Sequence, residues 1–180
     1  MSRHLVKFTV NGRDQAVVVN SNERLLDTLR NRLNLKGAKD GCSSGDCGTC
    51  MVIMNGRPVN SCLILTAQAR GSSVTTVEGL GTGDFPHVLQ EAFIRFNASQ
   101  CGYCIPAMLI CAKNLLDKNP KPSQYEIRRA ISGVLCRCTG YYKIFDAIRY
   151  AAEKMSGGYA LRSDEGLRAT GEDARIRFSR

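Results

Sequence analysis

The sequence predicts an α+β chain in two parts, a strand-rich first half resting on one helix and a second half of four short helices. Up to about residue 80, short runs alternate apolar and polar positions and are punctuated by Asn-Gly pairs. From Pro86 onward, apolar residues recur every three or four positions. The third observation is the placing of cysteine: three of the nine thiols fall within residues 41 to 50, a stretch that can pack almost no core.

The elements follow in order. "HLVKFTVNG" sets Leu5 and Lys7 against Val6, Phe8 and Val10, and Asn11-Gly12 signals a tight hairpin with "QAVVVN" as the return strand. "ERLLDTLRNRLN" spaces Leu25, Leu26, Leu29 and Leu33 along one helix face, with Ser21 or Asn22 as its cap. "MVIMNGRPVNSCLIL" predicts two strands about Asn55-Gly56, and "SSVTTVEGL" one more, which suits a small mixed sheet. The helices are expected in "HVLQEAFIRFNAS", "IPAMLICAKNLLDKN", "SQYEIRRAISGVL" and "YKIFDAIRYAAEKM". Pro106 and Asn119-Pro120 punctuate the second, and Ser123 with Glu126 forms a capping box for the third. Short connections between four short helices suggest a compact bundle. The expected divisions are residues 1–80, a linker at 81–85 within "GLGTGDFP", a helical part at 86–156, and an Arg-rich tail at 157–180. The tail lacks periodicity and is expected to stay mobile or to lie along a partner chain.

Composition narrows the function classes. Hydrophobic content of 43% and charged content of 23% are ordinary for a globular protein. No apolar run approaches the ~20 residues that cross a bilayer, and "MSRHLVKFTVNGRDQ" turns polar too soon for a secretory leader. A cytoplasmic, reducing setting is therefore expected, in which nine cysteines point to metal ligation before disulfides. The net charge of +9 is spread from Arg3 to Arg180 among acids, and the aromatic residues form no stacking array. No nucleic-acid partner is expected; an acidic protein partner accounts for the charge as well.

In "GCSSGDCGTC", Cys42, Cys47 and Cys50 follow C-x4-C-x2-C, and Cys62 comes later. This is the plant-type [2Fe–2S] spacing. A four-thiolate cluster is anionic and needs donors without bulk; Gly41, Gly45 and Gly48 are expected to take positive φ and turn backbone N–H groups inward. Structural zinc would favour paired C-x2-C units or added histidine, and His4 and His87 lie far away in sequence. In the second half, Cys101 and Cys104 form C-x2-C, while Cys136 and Cys138 form C-x-C. Each pair precedes an expected helix, whose N-terminus favours negative charge. Zinc could accept this second set on spacing alone; the C-x-C pair tilts the balance toward a second iron–sulfur cluster. Cys111, inside "AMLICAKNLL", reads as a small buried apolar residue.

With both sets in this order, the chain resembles the small iron–sulfur subunit of the molybdenum hydroxylases, the xanthine dehydrogenase and aldehyde oxidase family. The resemblance covers residues 3 to about 155 and is most specific in "GCSSGDCGTC", "QCGYCIPAM" and "LCRCTGYYKI". It implies a β-grasp plant-type ferredoxin domain followed by a four-helix-bundle domain, each holding one [2Fe–2S] cluster. It also implies a large partner subunit bearing a molybdenum-pterin cofactor, and usually a medium subunit bearing FAD. Carried onto this chain, Cys101, Cys104, Cys136 and Cys138 would hold the cluster nearest molybdenum, and Cys42, Cys47, Cys50 and Cys62 the one nearest the flavin. Gln100 would contact the pterin. No catalytic residue is expected here, since this chain would relay electrons while the molybdenum subunit performs the chemistry. Ile105, Ala107 and Val134 stand where the family usually has Thr, Gly and Asn. The lost hydroxyl and amide would tend to lower the potential of the helical cluster. Two other classes stand beside this reading, a free-standing two-cluster ferredoxin and a non-redox module with zinc in the helical site.

Overall fold

A computed structural model describes residues 2–81 and 84–157 of the chain. The expectations for the tail at 158–180 and for linker positions 82 and 83 lie outside the described residues.

Strands β1 (Arg3–Val10) and β2 (Arg13–Asn20) pair antiparallel across the Asn11-Gly12 turn, where both residues have positive φ, as a type I′ turn requires. β3 (Met51–Met54) and β4 (Arg57–Asn60) repeat the arrangement about Asn55-Gly56. β5 (Ser73–Thr75) runs parallel to β1 and antiparallel to β3, giving the sheet order β2-β1-β5-β3-β4. Alternation works as expected in β1: Val6, Phe8 and Val10 are buried, while Leu5 stays half exposed. They pack with Leu25, Leu26, Leu29, Val52 and Val74 into the first core.

The helix on this sheet is shorter than its leucine spacing suggests. Only α1 (Leu25–Asp27) is α-helical, and it runs directly into a π-helical turn over Thr28–Arg32 closed by Leu33 N–H donating to the Thr28 carbonyl. Neither Ser21 nor Asn22 caps it. The chain stays extended through Arg24, which bridges to Leu65, and Leu25 N–H donates to the Ile64 carbonyl at 2.7 Å. A pairing with a distant segment thus replaces the local cap. The buried Thr28 hydroxyl, bonded to Thr66 at 2.7 Å, anchors the widened turn.

In the second half, α2 (Val88–Arg95), α3 (Ile105–Lys118), α4 (Gln124–Ile131) and α5 (Tyr142–Met155) lie on the segments whose spacing predicts them. The Ser123–Glu126 capping box is present, and Pro106 opens α3. Leu89, Phe93, Met108, Ile127, Ile131, Ile144 and Ile148 form a second core to which every helix contributes. Among the described residues no helix is long and apolar enough to cross a membrane.

The two cores are joined. Met51 of β3 packs against the helical core, and the buried Asn114 of α3 donates through Nδ2 to the Gly56 carbonyl in the β3–β4 turn at 2.9 Å. Asn114→Ala removes that part-buried bond while the Gly56 carbonyl stays open to water, so a loss of about 1 kcal/mol is expected. A lower urea midpoint at unchanged slope is the outcome that checks it.

Candidate functional site

The first cysteine group occupies the irregular segment between the π turn and β3, closed from the other side by β4. Cys42 and Cys47 are partly exposed, whereas Cys50 and Cys62 are buried. Cys62 sits in a 3-10 turn (Ser61–Leu63) directly after β4. Backbone N–H groups of Ser44 and Cys47 point at Cys42 Sγ, each at 3.4 Å. With the Ser44 hydroxyl first, these bonds hold the Cys42 thiol down to about 6. Cys62 is pushed up to about 11 by burial and then by its neighbour Cys50. Thr49 Oγ1 lies 3.2 Å from Cys47 Sγ, and Asn60 Nδ2 donates to the Gly45 carbonyl at 2.8 Å, tying β4 to the loop.

The glycines play different parts from those expected. Gly45 and Gly48 have positive φ (86° and 69°), but Gly41 does not; the left-handed role near it falls to Ser43 at 55°. Gly41 is needed for space, since an added Cβ would stand 2.8 Å from Cys47 Sγ and 2.7 Å from Thr49 Oγ1. Gly48 is buried, and a Cβ there would overlap the Gly133 carbonyl of the second cysteine segment.

The second group lies where the α2–α3 and α4–α5 connections meet. Cys104 immediately precedes α3 and is buried; Cys101 and Cys138 are exposed. The sulfurs approach in cross-pairs: Cys138 Sγ is 3.6 Å from Cys101 Sγ, and Cys104 adjoins Cys136. Burial, then Cys136, pushes the Cys104 thiol up to about 12. Thr139 Oγ1 lies 3.0 Å from Cys136 Sγ. Among the described residues no three His, Cys, Asp or Glu side chains close around a point that would hold a single ion. Cys111 is buried in the helical core seven residues beyond Cys104, and burial alone raises it to about 12.

Several residues that position these thiols escape sequence reasoning. Tyr141 donates its hydroxyl to the Val134 carbonyl (3.3 Å) and accepts from Cys136 N–H (2.8 Å), stapling the C-x-C turn. It does so at φ 69°, its ring stacked on Phe145 at 6.2 Å. The only sequence signal is an aromatic residue after Gly140. Gln100 is exposed beside Cys101. Ala107 and Val134 are buried in the helical core and Ile105 packs against it, so apolar contact fills the positions of the expected hydroxyl and amide.

The two groups touch. Leu135 N–H donates to the Cys47 carbonyl at 2.9 Å, so a residue next to Cys136 is bonded to a cysteine of the other group. Tyr103 donates its hydroxyl to the Asp40 carbonyl at 2.7 Å. The donor set fits two iron–sulfur centres: soft thiols in fours, glycine-lined approach, backbone N–H groups aimed at sulfur, and buried thiols that lose protons on metal binding.

Comparison with known proteins bears on the same residues. Residues 8–73 match the family described as 2Fe-2S iron-sulfur cluster binding domain, and residues 76–149 match the [2Fe-2S] binding domain family. The nicotinate dehydrogenase small FeS subunit of Eubacterium barkeri is 48% identical, over 87% of this chain and 99% of that protein. Among solved structures, quinoline 2-oxidoreductase from Pseudomonas putida 86 has a chain 42% identical, with a TM-score of 0.82 over 88% of this chain and 99% of its own. The aldehyde oxidoreductase of Desulfovibrio desulfuricans is 40% identical with a TM-score of 0.85, and there the match covers 18% of a longer chain. With two 2Fe-2S-binding domains in this order, the chain belongs to the small iron–sulfur subunits of the molybdenum hydroxylases, and is thus a subunit of a molybdenum-dependent oxidoreductase.

Proposed function

We propose that this chain relays electrons between a molybdenum-pterin site on a large partner subunit and FAD, or another acceptor, on a further subunit. When bound, two [2Fe–2S] clusters supply the one-electron redox chemistry that no protein side chain offers at these positions. Cys42, Cys47, Cys50 and Cys62 hold one, in a β-grasp ferredoxin domain, and Cys101, Cys104, Cys136 and Cys138 hold the other, in a four-helix bundle. The observation that carries the reading is the Leu135–Cys47 hydrogen bond, which joins the backbones of the two cysteine groups. Without contact between its two halves, such a chain would be a pair of independent sites; with it, the sites form one connected path.

The chain's own residues set the conditions. Gly41 leaves room beside Cys47 Sγ, Gly45 and Gly48 turn the loop at positive φ, and Thr49 and Thr139 place hydroxyls beside sulfur. The exposed Cys101–Gln100 edge is the surface for the molybdenum subunit, with Gln100 toward the pterin. We set the side toward the flavin at the half-exposed Leu63 beside Cys62, 58% accessible. Substrates of the relatives, such as nicotinate and quinoline, make a nitrogen heteroaromatic compound the first substrate class to test with the whole complex. A chain with nine cysteines suits a reducing compartment, and we place the complex in the cytoplasm.

Anaerobic purification with iron, sulfide, zinc and molybdenum analysis, alongside EPR of the dithionite-reduced sample, tests the reading. Equal iron and sulfide, a pair of distinguishable reduced signals and molybdenum in a co-purifying larger chain are expected. Zinc in place of half the iron, or a single signal, would rule out the relay.

A further inference from the structure

We propose that Tyr103 is a positioning residue that locks the first cysteine loop to the second, and so sets the distance and magnetic coupling between the two redox sites. The inference rests on the relay reading above. Tyr103 stands between Cys101 and Cys104, and the carbonyl that accepts its hydroxyl belongs to Asp40, two residues before Cys42. Leu135 and Cys47 tie the remaining loops of the two groups together. The two halves are also held together away from the thiols, by the Asn114–Gly56 bond and by Met51 against the helical core. Between the cysteine loops themselves, the Tyr103 bond is a second point of attachment beside Leu135–Cys47, and it is the one made by a side chain.

The receiving end is itself held. Arg24 donates to the Asp40 carboxylate at 2.9 Å and to Ser43 Oγ at 3.0 Å, while Ser43 donates to Asp40 Oδ1 at 2.7 Å. Arg24 is braced in turn by both oxygens of Asp27 in α1. Asp40 is therefore fixed to the sheet half through its carboxylate and to the helical half through its carbonyl. Lys39 Nζ lies 5.8 Å from the centre of the Tyr103 ring, which adds a cation–π contact at the same junction. Phenylalanine would keep the ring and this contact but lose the bond to Asp40, which isolates the hydroxyl's part.

The test uses the full chain, anaerobically isolated with both clusters, as wild type, Tyr103→Phe and Tyr103→Ala. Two readouts are taken: amide hydrogen exchange over residues 39–50, and low-temperature EPR splitting between the reduced centres. With iron and sulfide unchanged, Tyr103→Phe is expected to speed exchange around Asp40–Cys42 by about fivefold, the worth of one neutral hydrogen bond. The magnetic splitting should change, and Tyr103→Ala should change both further. Exchange and splitting equal to wild type in Tyr103→Phe would overturn the inference while leaving the relay intact. Faster exchange with unaltered splitting would also overturn it, since the hydroxyl would then serve loop stability alone. A wild-type chain with only one iron–sulfur signal would overturn both readings together.

Discussion

Gly48→Ala is expected to separate the two cysteine groups. Gly48 has φ of 69°, where an alanine costs about 1–2 kcal/mol. The larger penalty is steric, because the new Cβ would overlap the Gly133 carbonyl and stand 3.0 Å from Val134 Cα. Both are backbone atoms, so no rotamer change relieves the clash. The segments must move apart, and the Leu135–Cys47 bond lies within that contact. A total loss of about 2–4 kcal/mol follows from strain plus overpacking. Gly12→Ala is the control: its φ is 76°, yet nothing lies within 4 Å of the added carbon. It should show the conformational cost alone. Urea denaturation of both variants checks the ordering, and exchange at the Leu135 amide should rise in Gly48→Ala only. Equal losses would mean that the Gly48–Gly133 contact is not tight.

The second large effect concerns metal content. Cys104→Ala is expected to abolish one iron–sulfur centre and leave the other, so that iron and sulfide per chain fall to about half. Cys104 is buried at the start of α3 beside Cys136. Cys111→Ala, seven residues along the same helix, removes an equally buried thiol from apolar surroundings and should leave iron, sulfide and EPR signals unchanged. It should cost only about 1 kcal/mol of stability for the lost volume. If Cys111→Ala also lost iron, the division of thiols between ligand and core would be wrong. Retention of full iron by Cys104→Ala would remove Cys104 from the ligand set.

Much of the fold was legible in the sequence because its signals are local. A hairpin depends on two residues that accept positive φ, and Asn11-Gly12 and Asn55-Gly56 announce themselves. A capping box needs only Ser123 and Glu126 at their spacing. An amphipathic helix repeats its pattern whatever it packs on, so α2 to α5 could be placed to within a few residues. The leucine-rich helix was the exception. Its spacing suits a longer α-helix, but the pairing of Arg24 with Leu65 and the buried Thr28–Thr66 bond decide where it starts and how it widens. Both partners lie about forty residues away along the chain, beyond the reach of any local pattern.

The cysteine spacing alone sorts eight thiols into the two groups of four proposed here and sets Cys111 apart, because a thiolate set must be written into the chain at fixed intervals. Only the tertiary structure decided how the two groups meet. That Gly41 serves space and Ser43 takes the left-handed turn depends on what surrounds each backbone. That Tyr103, Leu135, Tyr141 and Gly48 matter depends on contacts between segments remote in sequence. Chemistry that must sit at a given residue is recorded locally. The distance between two such chemistries is a property of packing, which the sequence encodes only through the whole fold.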